Sequence, residues 1–497
     1  MQFGGLVNKV NVEHELHHFL QQKFGFTEFK AGQEEVITSL LNNRSTVAIL
    51  PTGTGKSLCY QFFGEYTKQP VVIISPLLSL MQDQVEQLRL QGEKRVVALN
   101  SNLSFQDKRQ VLEQLNRYAF IYLAPEMLRN EAVLAALLQL NIGLLVIDEA
   151  HCISAWGPDF RPDYLQLGQM RHQLGDPLTL AVTATATKRV LADMTKLLRL
   201  PASFKLVQYS VDRPNIFLAT EKLPDEQTKK ERLLSLLKQL PGPGLIYFSS
   251  KKQCDELTEL IQQKTSLHVA AYHAGLSFAE RYAVQQQFLT GQLDLICATS
   301  AFGMGINKTD IRYVIHYHMP QDLENYVQEI GRAGRDGQQS IAIILFNEND
   351  RFLQKRLAFN SLPNSDELEL YQQSPAALKS ASLESESAYL VTRYQQMGIS
   401  FADMEQIFTQ RRTEKLRALQ QMLAYVNYPD CKRNFILRYF DEERVVKHQQ
   451  NCCQLGEESY DLQQIFANVD QVTNNLPKNT PPSRDYRQVL QKLFRDD

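Results

Sequence analysis

The sequence predicts an α/β fold made of two parallel-sheet lobes that are followed by an all-helical region. Three observations support this prediction. Short apolar runs rich in β-branched residues alternate with longer helical patterns, which is typical of a parallel sheet covered by helices. The alternation occurs twice, on either side of a Pro/Gly-rich break at residues 241–244. From about Phe352 onward the strand-like runs stop and helical periodicity takes over.

The strand-like runs place each lobe along the chain. In the first lobe they are TVAIL (46–50), VVIIS (71–75), FIYLA (120–124), LLVID (144–148) and LTLAVTAT (178–185). The second series contains GLIYFSS, HVAAYHAG, DLICATS, YVIHYHM and IAIILF. Between the two series, VDRPNIF (211–217) contains a turn-forming cluster that predicts a linker or the opening of the second lobe. We therefore predict a first lobe over 1–205, a second lobe over 206–350, a helical region over 351–460 and a short C-terminal tail over 461–497.

The composition excludes several classes of protein. With 497 residues, 43% of them hydrophobic and 22% charged, the chain resembles a soluble globular protein of about three domains. It contains neither an apolar run of the ~20 residues that a membrane span needs nor a secretory signal pattern, so we expect a cytoplasmic protein without a membrane partner. Seven scattered cysteines predict reduced thiols rather than a disulfide framework. A net charge of -2 means that any nucleic-acid binding must come from local basic stripes.

A candidate phosphate-binding loop follows the first strand-like run. The segment PTGTGKS (51–57) leads into a predicted helix, which is the context in which backbone N–H groups wrap phosphates. Lys56 would meet the β- and γ-phosphates of ATP, and Ser57 would bind Mg²⁺. The strict pattern has glycine where Leu50 stands, so a structural glycine turn with a surface lysine is the alternative. The residues that would form the loop around the phosphates are Thr52, Gly53, Thr54 and Gly55.

Two carboxylates stand at the end of a buried strand in LLVIDEAH (144–151). This position is the carboxyl edge of the predicted sheet, where ligands bind in open α/β folds. Asp148 would hold the Mg²⁺ ion, and Glu149 would orient or deprotonate the attacking water. Acidic residues at a strand end can also cap the next helix, but a phosphate loop upstream favours the metal-binding interpretation.

Two arginines lie three residues apart in QEIGRAGRDG (328–337) of the second series. A guanidinium group stabilises the charge that develops on a γ-phosphate, and an arginine supplied across a cleft couples hydrolysis to lobe closure. An arginine-rich helix start on a solvated face is the alternative. Because the phosphate loop and the carboxylates are also present, we predict that Gln328, Arg332 and Arg335 serve catalysis.

Taken in this order, the motifs resemble those of superfamily-two helicases, and specifically those of the RecQ family of DNA helicases. The matching segments include LPTGTGKS, SPLLSLMQDQ, DEAHCISAWGPDFRPDY, AVTATAT, AYHAGL, ATSAFGMGIN and QEIGRAGRDG. The resemblance implies two RecA-like lobes with ATP in the cleft between them, and unwinding of DNA with 3′-to-5′ polarity. FGFTEFKAGQ (24–33) resembles the family's adenine-reading segment. On that resemblance Gln33 would contact the adenine, and Lys30 would lie beside it.

The resemblance also implies contacts with single-stranded and duplex DNA. The aromatic-rich segment around the single tryptophan offers stacking faces and a cation, which suit unpaired bases, although aromatic residues that pack the lobe are the alternative. Ala155 and Pro158 stand where the family usually has Gln and His, so the coupling of DNA contact to ATP hydrolysis is expected to differ. The residues matched to strand contact or to the relay of nucleotide state are Ser75, Pro76, Asp83, Gln84, Trp156, Phe160, Arg161, Thr183, Thr185 and His273.

A zinc module of the family is only partly matched. CKRNFILRYF (431–440) resembles its beginning, whereas its end is replaced by HQQNCCQLG (448–456). Cys431, His448, Cys452 and Cys453 would supply four Zn²⁺ ligands, but adjacent cysteines are expected to fit one ion only with awkward geometry, so zinc stays open. Too few residues follow for the family's full winged helix. The helical stretch 362–407 has no counterpart in the family pattern, and it is expected either to hold a partner or to brace the second lobe.

These observations predict an ATP-dependent DNA helicase with DNA-stimulated hydrolysis, acting in recombination or repair. Single-strand-binding or recombination proteins are further partners to be expected. Two alternatives stay open. One is an RNA helicase, because Asp-Glu-Ala-His also occurs in that class. The other is a nucleotide-driven translocase that does not separate strands.

Overall fold

The structure is a computed structural model that describes residues 4–76, 78–100, 103–154, 162–303, 308–382, 385–449 and 451–467. In these ranges the chain forms two parallel β-sheets, each flanked by helices, and a helical region that follows them. The predicted fold class is thereby confirmed. Within the same ranges, no helix combines the length and the apolar character that crossing a membrane would require.

The first sheet contains seven parallel strands in the described residues. Their bounds are β1 (Thr46–Ile49), β2 (Val71–Ile74), β3 (Val96–Leu99), β4 (Phe120–Leu123), β5 (Leu144–Ile147), β6 (Thr179–Thr183) and β7 (Lys205–Gln208). They are ordered β3-β4-β2-β5-β6-β1-β7. Strands β1, β2, β4, β5 and β6 are buried along their whole length, as expected for parallel strands with helices on both faces.

The second sheet repeats this architecture with six parallel strands among the described residues. Their bounds are β8 (Ile216–Lys222), β9 (Gly244–Tyr247), β10 (Val269–Tyr272), β11 (Leu295–Ala298), β12 (Tyr313–His316) and β13 (Ser340–Phe346), in the order β10-β11-β9-β12-β13-β8. Strand β8 lies at an edge of this sheet, and the cysteine-containing segment covers it. Leu218 forms a parallel bridge with Cys453, and the Gln454 N–H donates to Leu218 O (2.9 Å).

The helices begin mostly after residues that cap their first turn. Ser277, for example, forms a capping box with Glu280 at the start of α11. The helices of the lobes are α1 (Gly4–Phe24), α2 (Gln33–Leu41), α3 (Lys56–Thr67), α4 (Leu78–Leu90), α5 (Phe105–Glu113), α6 (Glu131–Leu138), α7 (Leu167–Gln173), α8 (Lys188–Leu197), α9 (Glu226–Leu237), α10 (Lys251–Lys264), α11 (Phe278–Leu289), α12 (Leu323–Ile330) and α13 (Glu348–Asn360). The later helices are α14 (Ser365–Gln373), α15 (Pro375–Ala381), α16 (Glu386–Gln396), α17 (Phe401–Val426), α18 (Lys432–Tyr439) and α19 (Leu462–Ile465).

The predicted domain boundaries stay a prediction, and strand pairing and helix packing bear on where they fall. Strand β7 pairs with β1, so residues 205–208 belong to the first sheet, and the chain passes to the second sheet between Gln208 and Ile216. The boundary predicted at 350 falls inside α13, whose Asp350 forms a buried ion pair with Lys229 of α9 (2.9 Å). The described start of the predicted tail also packs on the second lobe, because α19 contributes to its core. KLVQ (205–208) gave no sequence signal because it is a short, partly exposed edge strand.

The helical stretch left without a role forms a hydrophobic core of its own. Its members are Leu362, Leu368, Tyr371, Leu378, Ala388, Leu390, Val391, Tyr394, Met404 and Phe408. We call residues 362–408 the helical module. The second half of α17, by contrast, packs in the core of the second lobe with α18. The module contacts the first lobe, where Arg393 lies 3.8 Å from Asp163 and Arg129 donates to Gln396 (3.3 Å).

Candidate active site between the lobes

The loop between β1 and α3 lies at the carboxyl edge of the first sheet. Gly53 and Gly55 have φ angles of 87° and 72°, which favour glycine. Thr54 Oγ1 donates a hydrogen bond to Pro51 O (2.8 Å) and closes the turn. Gly55 has no side chain to cap α3, and the Leu58 N–H donates to Gly55 O (3.0 Å), so the first-turn N–H groups suited to a phosphate are those of Lys56 and Ser57.

Gln33 and Lys30 hold the backbone of this loop. The buried Gln33 donates from Nε2 to Thr54 O (2.6 Å) and Gly55 O (3.0 Å), and its Oε1 accepts the Lys30 N–H (2.8 Å). Lys30 Nζ donates to Gly53 O (3.1 Å). Both residues thus lie directly on the phosphate loop, and their contact with an adenine stays a prediction. An adenine bound by Gln33 or Lys30 would change the position of the phosphate loop through these hydrogen bonds.

Three charged groups meet at the loop. Burial lowers the pKa of Lys56, while the charges of Glu149 and Asp148 raise it. Burial, together with the charge of Glu149, raises the pKa of Asp148 to about 7 against the opposing effect of Lys56. Lys56, Asp148 and Glu149 thus lie close enough for their charges to influence one another. Two partly buried carboxylates beside one cation fit a divalent cation, whose charge would favour their ionised form.

The arginine segment of the second lobe lies against the phosphate loop. A Cβ atom added to Gly53 would come within 2.9 Å of Arg335 Cγ, so glycine is what allows this approach. Thr52 Oγ1 donates to Gly331 O (3.0 Å) and joins the two segments. Burial lowers the pKa of Arg335 to about 9, and the charges of neighbouring arginines add to the effect. Arg332 points elsewhere in the lobe, where its Nη1 donates to Gly303 O.

Arg213 is a site residue that the sequence did not single out. Its Nη1 donates to Gly331 O (2.9 Å) and Thr52 O (3.3 Å), and its Nη2 donates to Ala333 O (2.8 Å) and Gly334 O (2.7 Å). One guanidinium group therefore holds the phosphate loop and the arginine segment together. A single arginine in a turn forms no recognisable motif. The only feature of the sequence that could have drawn attention to Arg213 was its position between the two series of strand-like runs.

A chain of polar contacts crosses the cleft from Glu149 to the second lobe. His151 Nδ1 lies 3.4 Å from Glu149 Oε2 and 2.8 Å from Thr183 Oγ1. Gln328 Nε2 lies 3.3 Å from His151 Nε2 and donates to Thr185 Oγ1 (3.4 Å). Burial lowers the pKa of His151, so the neutral ring accepts at one nitrogen and donates at the other. This chain connects the predicted water-orienting carboxylate to Gln328.

The described candidates for nucleic-acid contact on α4 are engaged within the protein. Asp83 Oδ2 accepts from Gln285 Nε2 of α11 in the second lobe (2.8 Å), and burial raises the pKa of Asp83 to about 6. Gln61 donates to Gln84 (3.4 Å). A neighbouring contact joins Tyr282 OH to Glu86 Oε1 (2.8 Å). Asp83 therefore contributes to the contact between the lobes, and its role toward a nucleic acid stays a prediction.

The remaining candidates for nucleic-acid contact are buried or lie outside the described residues. Ser75 and Pro76 follow β2 and are buried, as are Thr183 and Thr185. His273 Nε2 lies 2.8 Å from Asp255 Oδ1. Their contact with a strand stays untested. Outside the described residues lie Trp156, Phe160 and Arg161, together with the family departures Ala155 and Pro158.

The cysteine and histidine side chains that were predicted to bind zinc converge in one cluster. The ligand atoms of Cys431, His448, Cys452 and Cys453 all lie within 4.8 Å of one another. Cys431 Sγ is 3.7 Å from the Sγ atoms of both Cys452 and Cys453. A tetrahedral Zn²⁺ with Zn–S bonds of about 2.3 Å separates its sulfur ligands by about 3.8 Å, so this set fits zinc. Cys452 and Cys453 thus both contribute their thiols to the cluster, and their geometry around a bound ion stays a prediction.

Comparison with known proteins identifies the family. Three family models match the chain: "DEAD/DEAH box helicase" over residues 30–194, "Helicase conserved C-terminal domain" over 228–337 and "RecQ zinc-binding" over 392–455. A Bacillus subtilis protein named "Probable ATP-dependent DNA helicase RecS" is 44% identical over 440 residues, which cover 86% of this chain and 88% of that protein. The chain belongs to the RecQ family of superfamily-two helicases.

Other relatives differ in how much of their length is matched. The Haemophilus influenzae protein named ATP-dependent DNA helicase RecQ is 38% identical over 68% of this chain and 54% of its own length. A protein of Acanthamoeba polyphaga mimivirus is 34% identical over 88% of this chain and 72% of its own length, and it is named as an ATP-dependent RNA helicase. A solved structure of Mss116p bound to single-stranded RNA and AMP-PNP has a TM-score of 0.58 at 15% identity over 82% of this chain and 89% of that one. At that identity the likeness concerns the fold alone.

The helicase family models and the RecS-named relative show that this RecQ-family chain is an ATP-dependent helicase.

Proposed function

We propose that this chain is an ATP-dependent DNA helicase that moves 3′-to-5′ on single-stranded DNA and unwinds duplex DNA in recombination or repair. The observation that carries the motor function is the approach of Arg335 to Gly53, which brings a second-lobe arginine to the loop of Lys56. Hydrolysis at such a site depends on how the two lobes meet. The choice of DNA rests on the names of the Bacillus and Haemophilus relatives.

Each residue of the cleft has a part in hydrolysis under this proposal. Lys56 and the first-turn N–H groups of α3 bind the β- and γ-phosphates. Ser57 and Asp148 would hold Mg²⁺, which would supply positive charge to offset the charge of the phosphate oxygens. Glu149 orients a water toward the γ-phosphorus and takes its proton while the bond to the β-phosphate oxygen breaks. Arg335 stabilises the charge on the transferred group.

The contacts across the cleft couple hydrolysis to movement. While a γ-phosphate is bound, Arg335 has an anionic partner in the first lobe, and the contact of Gln328 with His151 is retained. Release of phosphate removes that partner and leaves a desolvated cation, so the lobes are expected to separate. Alternating closure and opening around single-stranded DNA would produce steps.

Strand displacement on tailed duplexes tests the activity and its polarity. We expect the wild-type protein with ATP to release the labelled strand from a duplex with a 3′ single-stranded tail, and not from a matched duplex with a 5′ tail. Glu149→Gln, which keeps the size of the side chain, serves as the control and should release neither. Release from the 5′-tailed duplex alone would reverse the proposed polarity, and ATP hydrolysis without release from either would favour a translocase.

An RNA helicase is the second candidate, and the observation that favours it is the name of the mimivirus relative. The same displacement experiment with an RNA loading strand distinguishes the two. Displacement and ATP hydrolysis that depend on RNA and not on DNA would establish the RNA helicase and exclude the DNA helicase.

Zinc binding by the Cys431, His448, Cys452 and Cys453 cluster is a further part of the proposal. The fit of the sulfur separations supports it. We expect one equivalent of zinc by elemental analysis of the purified protein and its loss in Cys453→Ser. Cys254→Ser, a buried cysteine of α10, is the matched control and should keep the metal. Equal zinc content in both variants would exclude the cluster as the site.

We place the protein in the cytoplasm, with single-strand-binding or recombination proteins as its protein partners. The strand pairing supports a first lobe that ends at Gln208, and the packing of α13 and α19 supports their inclusion with the second lobe.

A further inference from the structure

The segment that joins the two sheets is held by two residues of the region that follows the lobes. We call residues 209–215, between β7 and β8, the interlobe linker. The Glu442 carboxylate accepts hydrogen bonds from Ser210 Oγ (2.6 Å) and the Val211 N–H (2.8 Å). The side chain of Arg433, on α18, donates to Asp212 Oδ1 (2.5 Å) and Arg213 O (2.8 Å). These contacts fix the path of the linker from one side.

Arg433 also contacts the cysteine cluster and the first residue of the second sheet. Its Nε donates to Cys452 Sγ (3.3 Å), and its Nη2 donates to Cys452 O (3.1 Å) and Ile216 O (2.7 Å). The side chains of Arg433 and Asp212 are only 5% and 4% exposed, so their ion pair (2.5 Å) is shielded from water. A buried guanidinium with this many acceptors has one orientation, which the cysteine cluster helps to set.

On its other side, the interlobe linker reaches the active site through Arg213. The backbone oxygen of Arg213 accepts from Arg433, while its side chain donates to carbonyl oxygens of Thr52, Gly331, Ala333 and Gly334. The last three carbonyls belong to the segment that carries Arg332 and Arg335. Two bonded arginine residues therefore connect Cys452 to the loop that binds phosphate and to the segment that supplies the predicted arginine finger.

We infer that Arg433 and Arg213 are positioning residues for Arg335. They form a relay that begins at the cysteine cluster, passes through the interlobe linker and holds Arg335 in the position that hydrolysis needs. This inference rests on the proposed function, because it assumes that Arg335 acts on a nucleotide. The guanidinium groups of both arginines donate to protein atoms. A displacement of Arg433 changes the linker path, the linker moves the Arg213 side chain, and Arg213 moves the carbonyl groups on either side of Arg335. Misplacement of a reacting group by about 1 Å can lower a rate on the order of 10²-fold.

The relay predicts a specific pattern in a double-mutant cycle of Arg433→Lys and Arg213→Lys. Lysine keeps the charge of each residue but lacks the fork that serves several acceptors at once. We expect each single variant to lower the kcat of nucleic-acid-stimulated ATP hydrolysis on the order of 10- to 10²-fold. In Arg433→Lys the Kd for a non-hydrolysable ATP analogue should stay at the wild-type value, because the described contacts of Arg433 lie outside the phosphate loop. In the double variant the loss should be no larger than in the worse single variant, since both changes interrupt one path.

Backbone hydrogen exchange supplies a readout that does not depend on turnover. Arg433→Lys should speed exchange in residues 331–335, although Arg433 makes its contacts with the linker and the cysteine cluster. Arg438→Gln is the matched control, because Arg438 lies on the same helix and donates to Tyr428 OH at the surface (3.1 Å). It should leave both kcat and exchange unchanged.

Separate outcomes overturn the relay and the proposed function. Wild-type protein without nucleic-acid-stimulated hydrolysis would contradict the proposed function. Wild-type stimulation with an unchanged kcat in Arg433→Lys, or losses that multiply in the double variant, would overturn the relay alone. Where Arg433→Lys lowers the thermal midpoint, Asp212→Asn replaces it in the cycle, because it removes the charged acceptor of Arg433 from the linker and leaves α18 intact. Unchanged kcat in Asp212→Asn would equally overturn the relay.

Discussion

The cations at the phosphate loop, Lys56 and Arg335, are partly buried. Burial lowers the pKa values of both Lys56 and Arg335, which means that their charged forms are less stable here than in water. An anionic ligand would offset this loss of stability of the charged forms. Its binding is therefore favoured by cations that are already oriented toward it. Arg335 contributes from the second lobe, so its benefit to a bound phosphate exists only while the lobes meet.

Replacement of this arginine tests its role in isolation. Arg335→Ala should leave the binding of a fluorescent ATP analogue largely in place and lower the rate of hydrolysis by a factor on the order of 10³, as expected when an arginine finger is lost. Single-turnover hydrolysis measures the chemical step directly. Arg332→Ala is the comparison, because Arg332 donates to Gly303 O rather than approaching Gly53. Unchanged turnover in Arg335→Ala with a loss in Arg332→Ala would transfer the role to Arg332.

At the scale of secondary-structure elements, the contact between α4 and α11 predicts a pH dependence. Burial raises the pKa of Asp83 to about 6, above its usual value of about 4. The stability contributed by protonation is thus fully present below about pH 4 and is lost as the pH rises through about 6. Asp83→Asn keeps an acceptor for Gln285 without a charge. We expect it to raise the thermal midpoint near pH 7.5 and to change it little near pH 4, where the stabilisation by protonation is still almost fully present. An equal shift at both pH values would contradict this account.

The elements that the sequence predicted are those with a strong local signal. Buried strands such as β5 and β12 have continuous apolar runs, and the phosphate loop is contiguous in the chain. Strands β3, β7 and β8 were not predicted, and β7 is partly exposed at a sheet edge. Arg213 and Arg433 could not be predicted, because their partners are backbone carbonyls brought close only by the fold. The members of the cysteine cluster were named from the sequence, but their convergence within 4.8 Å could not be predicted, because it depends on how α18 and the later cysteine segment pack.

At the scale of the whole molecule, α17 connects the parts that must move. Its first turns belong to the helical module, which contacts the first lobe, and its last turns belong to the second-lobe core. Arg411 donates to Ser154 O (3.1 Å), and Glu414 pairs with Arg189, so its middle also contacts the first lobe. A helix of 26 residues spans about 39 Å, so α17 is long enough to contact both lobes. Opening of the cleft must break its contacts with the first lobe or bend the helix.

The central claim is that ATP hydrolysis in the cleft between the lobes depends on a nucleic acid strand. The most direct test is the steady-state ATPase rate of the purified protein alone, with single-stranded DNA, with duplex DNA and with RNA, in parallel with Lys56→Ala. We predict a large increase with single-stranded DNA in the wild-type protein and no turnover in Lys56→Ala, because this change removes the ammonium group proposed to bind the β- and γ-phosphates. Hydrolysis that is equal with and without every nucleic acid, or that persists in Lys56→Ala, would contradict the account.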